Sequence, residues 1–430
     1  MDKEKWIRNF RQMKEQLSFL RLNEEDDEDE LEIEEKALSS GNENKIDLPE
    51  GNLKEKLEKN RRKRFRVRLI ILVLIVGVLG SFILYNKLHT FTDYIITESI
   101  ENKVSSGTRY EAVGKVIYRY NSDGVSCVSR SNELKWSITY NMQAPIADVC
   151  GEVMVIAEQQ GTQVYVIDTQ GQVGHFETLL PILKVRVSKQ GVVAVVLEDD
   201  NVTWINLYKS DGTAIASDKT TVAESGYPLD MDLSPDGQKL AVSYLGIDQG
   251  IMKTDIVFYH FGSVGEAKDN YVVSSETFTE QVMPEIYFTG NSCAVAVADN
   301  GFVVFKGNSA PKKSSAVTFD EEIISCFHDD DRIGFLFTNA EEEYEYRMEL
   351  YNYNGKRKAK RSVNADFDEI RMQDGQILMF SEKECHVFTA AGRKRFESLY
   401  EKSIQDIFYF SGFRKYLVIT EDSFDWIRIS

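Results

Sequence analysis

From residue 146 onward the chain repeats one pattern: a short strand, a second apolar strand, a third ending in an Asp-Gly or Asn-Gly type turn, and a more polar fourth. Successive units start at 146, 182, 228, 283, 323, 369 and 404, a mean period of 43 residues. One unit runs ILKVRVS, VVAVVLED, VTWINLYKSDG and TAIASDK. A four-stranded propeller blade has this size, and blades bury their faces only by stacking on their neighbours. A β-sandwich would need fewer strands and no such period. The inner strands are read as the most apolar and the fourth as polar because it is outermost. The last unit (IQDIFYF, KYLVIT, FDWIRIS) lacks a fourth strand, while residues 109–140 supply RYEAV, KVIYRYN, GVSCVSR and LKWSITY. A propeller must close or leave raw strand edges. The reading is therefore an all-β propeller over 109–430, with the N-terminal strands closing the ring. The count is eight if 109–140 form their own blade, which we favour, and seven if they complete the last one. Residues 87–108 read as a stalk.

Upstream the character changes. LIILVLIVGVLGSFILY, from Leu69 to Tyr85, carries no charge over 17 residues and reads as a single transmembrane helix within 66–86. Arg66 and Arg68 can snorkel to one interface, and Tyr85 suits the other. A core helix is seldom apolar all round, and a cleaved signal would lie nearer the N-terminus. Lys59–Arg68 holds seven basic residues, among them Arg61, Arg62, Lys63, Arg64, Arg66 and Arg68. Of basic residues, the ten positions beyond Tyr85 hold only Lys87, plus His89. Positive charge stays inside, so the expected orientation is a cytoplasmic N-terminus and an extracytoplasmic C-terminal domain at the cell membrane. The tail, 1–65, divides further. Trp6, Phe10, Met13, Leu17 and Leu20 mark one apolar face of a helix over 6–22, suited to a membrane surface or a partner helix. Glu24–Glu35 packs ten carboxylates, which predicts a solvated, disordered spacer in a largely disordered tail.

The 69 acidic against 51 basic residues give −18, which argues against nucleic acid as a partner. Cys127, Cys150, Cys293, Cys326 and Cys385 form no CxxC; they read as buried free thiols, with disulfides left open. His89, His175, His260, His328 and His386 are isolated, and His386 beside Cys385 cannot chelate on one strand face. The acidic turns at His328–Asp331 and Glu198–Asp200 lack the alternating ligands of a calcium loop. No GxSxG marks a hydrolase. We therefore expect no catalytic, cofactor or metal residue.

Ser234, Pro235, Asp236 and Gly237, followed by QKLAVSY, resemble the first-to-second-strand turn of WD40 and TolB-like propellers. Pro235 presets φ, and Gly237 supplies positive φ. SNELKWSI around Trp136 resembles the fourth strand of a quinoprotein-like blade. From about residue 66 the order of features resembles an uncharacterised family of membrane-anchored propellers of Gram-positive bacteria, with GYPLDMDLSPDG its most specific block. That resemblance implies topology and fold and no reaction. The expected function is a non-enzymatic propeller that binds a protein or envelope ligand outside the cell and scaffolds or signals through a cytoplasmic partner of the tail. The alternative is a tethered quinoprotein-like or glycan-active enzyme. GIDQGIMK (Gly246–Lys253) and AEEEYEY (Ala340–Tyr346) are the loops singled out for binding.

Overall fold

The computed structural model describes residues 50–103, 105, 107–199, 202–339, 343–410 and 414–430; the side chains of 50–60, 82–84, 86–88 and 269 are left aside. The amphipathic stripe Trp6, Phe10, Met13, Leu17 and Leu20 and the acidic run lie outside these residues. The chain divides into two units, Met1–Leu84 and Tyr85–Ser430. In the first, a helix runs from Glu50 and ends at Leu88 in the second unit. It carries the basic cluster Arg61–Arg68 and the uncharged run. Apart from the half-buried Ile71, its described large apolar side chains are exposed, Leu72, Val73, Leu74 and Val76 by about 60% each. Among the described residues, no helix is long and apolar enough to cross a membrane.

The second unit is an all-β propeller of eight four-stranded antiparallel blades. Blades 1 to 7 occupy 109–139, 145–177, 182–221, 227–279, 285–318, 325–363 and 369–399, each a meander in which consecutive strands pair. Blade 8 takes three strands from 404–429 and its outermost strand from Tyr94–Glu101, which pairs antiparallel with Ser423–Ile429, Tyr94 facing Ile429. This corrects the stalk: eight residues of that stretch, Tyr94–Glu101, are the ring's closing strand. The eight-blade count holds, since 109–139 form a blade of their own; the seven-blade alternative does not, because the strand that completes the last blade lies upstream of 109.

Eight apolar clusters hold the ring. Each fills one gap between consecutive blades: Tyr118 and Val125 of blade 1 meet Met154 and Ile156 of blade 2, and so on round. The eighth joins blade 8 to blade 1 through Phe408, Leu417 and Phe424 against Tyr110, Ile117 and Val128. A fully buried Phe or Leu side chain contributes about 1.5–3 kcal/mol, so each gap is held by several such residues. The second and third strands are the most buried, with Gln376–Phe380 buried throughout. The first strand of each blade is less so, because alternate residues face the central bore, which qualifies the expectation that inner strands are the most apolar.

In a meander, alternate turns lie at opposite ends. First-to-second and third-to-fourth turns, the start of the closing strand and the C-terminus share one end, here the entry face. Second-to-third turns and inter-blade linkers share the other, the linker face.

Candidate functional site in the central bore

The first strands of adjacent blades do not pair as a ladder, so their edge N–H groups need other acceptors. Inward carboxylates supply them. Asp148 Oδ2 accepts from Val187 N at 2.7 Å. Asp230 Oδ2 accepts from Ile286 N at 3.1 Å, and Asp232 Oδ2 from Phe288 N at 2.6 Å. Gln373 does the same for Tyr409 N at 3.0 Å. Matched steps of two residues show that the first strands of blades 4 and 5 run in the same sense.

These clasps leave each carboxylate a second oxygen for the bore. Arg186 Nη2 lies 3.0 Å from Asp230 Oδ1 and its Nε 3.8 Å from Asp232 Oδ1, while Lys184 Nζ reaches Asp230 Oδ1 at 3.1 Å. Glu285 accepts the Cys326 thiol at 3.2 Å and lies 3.3 Å from His328 Nε2, and that imidazole stacks on Tyr287 with 3.5 Å between centroids. A cavity of about 630 Å³ spans the first strands of blades 2 to 6 and reaches the entry face at Cys150, Lys189, Pro235 and Asp330. On the opposite wall Arg371 bridges Glu369 and Asp406 at 2.6 Å each and covers the Phe408 ring.

The electrostatics follow from crowding in a poorly solvated bore. Burial, reinforced by the Asp148 carboxylate, pushes Asp232 up to about 7 against the hydrogen bond it accepts from Phe288 N and the charge of Arg186. Burial likewise raises Asp148, Glu111 and Asp406 despite neighbouring guanidinium groups. Arg186 is also penalised by burial, but Asp148, Asp230, Asp232 and Glu285 outweigh that and raise it. Glu285 shows the reverse balance: burial would raise it, but its contacts with His328 and the Cys326 thiol hold it below the usual range. Burial and then Glu285 push the Cys326 thiol up, and burial and then Asp148 push Cys150 up to about 11, so neither is primed as a thiolate.

The Ser234–Gly237 turn lies between the first and second strands of blade 4 and borders this cavity through Pro235. Ser234 Oγ donates to Asp236 Oδ1 at 2.6 Å and accepts from Lys239 N, and Gly237 sits at φ +67°. The turn also ties three blades: Pro235 O accepts from Lys189 N, and Asn291 accepts from Asp236 N. Trp136 lies on a fourth strand, as expected, and its indole N–H donates to Thr169 O of the next blade. All five cysteines are free, but only Cys127 and Cys385 are fully buried. The acidic turn after His328 uses Asp329 Oδ1 to accept from Asp331 N and Arg332 N. The bore residues were missed in the sequence, although charged residues two apart in LDMDL, ILKVRV and EIRMQ were a usable signal.

A comparison with curated proteins finds no match. Solved structures share the fold. Sqt1 of Saccharomyces cerevisiae superposes with a TM-score of 0.51 at 11% identity, covering 80% of this chain and 100% of that one. BamB of Moraxella catarrhalis gives 0.46 at 9%, covering 78% and 100%, and a eukaryotic initiation factor 0.49 at 12%, covering 77% and 87%. The profile of DUF5711, described as a family of unknown function, matches residues 87–429.

Proposed function

Taking as premise that the chain belongs to the DUF5711 family, whose function is unknown, we propose that it is a membrane-anchored, non-enzymatic binding propeller whose central cavity receives a ligand at the entry face. The cavity of about 630 Å³ carries this reading, because convergent polar groups on rigid strands suit recognition. Asp148, Asp230 and Asp232 each give one oxygen to an inter-blade clasp, and burial holds the Cys150 and Cys326 thiols protonated, which supports binding over catalysis. The anchor is Leu69–Tyr85, supported by its 17 uncharged residues and exposed apolar side chains, with Arg61–Arg68 on the cytoplasmic side. The direct test places a photo-crosslinking residue at Thr289 in the full chain in its native membrane. A discrete adduct supports ligand entry at this mouth, and its absence sinks the reading.

Coupling across the membrane is a second reading. Its support is the short path from helix to ring: five residues separate Leu88 from the closing strand, and Phe91 among them is buried beneath the Arg414 guanidinium at 4.0 Å. If removing residues 2–58 leaves the full-length phenotype intact, coupling is excluded.

A further inference from the structure

Charge is not shared evenly between the two ends of the ring. The described residues in the linker-face connections hold fifteen carboxylates against Lys103, Lys383 and Lys402. Those of the entry face hold ten against eight basic residues. Two of the three linker-face lysines already lie in local ion pairs, Lys103 with Glu101 at 2.9 Å and Lys402 with Asp422 at 3.6 Å.

An apolar protrusion rises from this acidic end. In blade 4 the second and third strands, Lys239–Asp248 and Ile251–His260, are ten residues each, longer than any others in the ring. The first strand pairs only as far as Leu245 and the fourth only as far as Lys253, so the tip overhangs. Ile247 is 78% exposed there, with Ile251 and Met252 beside it. Val222 and Tyr227 in the adjoining linker region are exposed as well. Three carboxylates rim the tip: Asp248 on it, Glu280, whose N–H donates to Met252 O, and Glu224 in the neighbouring linker.

Building on the binding-module reading, we propose that the blade 4 hairpin and its acidic rim dock a basic, amphipathic segment of another protein. Exposed apolar residues ringed by charge suit an amphipathic segment with apolar anchors at regular intervals. The sign of the rim requires lysine or arginine around those anchors, and it rejects anionic lipid and nucleic acid. A second copy of the same face is rejected by like charge.

The test uses the full chain in detergent micelles and an 18-residue Lys/Leu peptide of helical periodicity, followed by fluorescence anisotropy. A Glu/Leu peptide of the same pattern is the control. The Lys/Leu peptide binds, and raising salt from 50 to 300 mM weakens it at least tenfold. Glu224→Gln/Asp248→Asn/Glu280→Gln weakens it at least tenfold, Ile247→Ser/Ile251→Ser at least fivefold, and Asp330→Asn at the cavity mouth less than twofold. Equal binding by both patch variants and the parent overturns the proposal, as does equal binding of the Glu/Leu peptide or no binding at 1 mM. Loss of binding in Asp330→Asn alone also overturns it, while leaving the central-cavity reading standing. The Thr289 crosslink tests that reading separately.

Discussion

At the scale of single residues, the bore converts strand-edge chemistry into a titratable wall. Asp232 titrates near 7 in the folded chain and near the ordinary carboxylate value when unfolded. The folded state therefore holds the extra proton between those values. Its contribution to stability is complete below the ordinary carboxylate range and is lost as pH rises through about 7. Urea unfolding midpoints from pH 4 to 8 should fall with rising pH, and Asp232→Asn should flatten that slope. Asp425 has the opposite sign. It is fully buried, and burial alone would raise it, but Ser99, Tyr400 and Ser423 hydrogen-bond it and Lys402 lies 3.3 Å away, so it sits below the usual range. Its stabilisation is present above the ordinary carboxylate value and disappears as pH falls through the lowered one. Asp425→Ala strands these donors and should cost about 3–5 kcal/mol, read as a lower urea midpoint. Gly334 tests packing: a Cβ there would stand 2.3 Å from the Phe327 ring, so Gly334→Ala should cost about 1–3 kcal/mol on the same measurement.

At the scale of elements, legibility differed sharply between strands. The meanders were readable because their partners are sequence neighbours and turns such as SPDG punctuate them. The inner wall was hidden because charged residues two apart in a strand also describe an ordinary solvent face, and only ring closure turns that face inward. YIITESIE escaped notice for a different reason: its partner lies more than 300 residues away, so no local pattern announces the pairing. That strand makes a clear prediction. Beginning the chain at Lys103 removes it and bares the Ser423–Ile429 edge, which invites pairing between chains. Such a protein should show self-association in sedimentation at concentrations where the full chain does not.

At the scale of the whole molecule, the two ends of the ring differ in kind. The entry face offers a recessed cavity of mixed charge, and the linker face a raised apolar hairpin in an acidic field. These geometries suit different partners, and two occupants could be held without competing for space. If so, a ligand crosslinked at Thr289 should leave the Lys/Leu peptide affinity unchanged within twofold, measured by anisotropy on the adduct. A shared site would abolish it.

The closing strand also sets an order of events during synthesis. Tyr94–Glu101 is among the first propeller residues to be made, yet its partner Ser423–Ile429 is the last strand of the chain. At about 5–20 residues per second, the first waits about 20–70 s for the second. Seven meanders can form meanwhile, but the circle cannot shut. The segment made earliest is used last, and a ribosome that stops short of residue 423 leaves an open arc with two sticky ends.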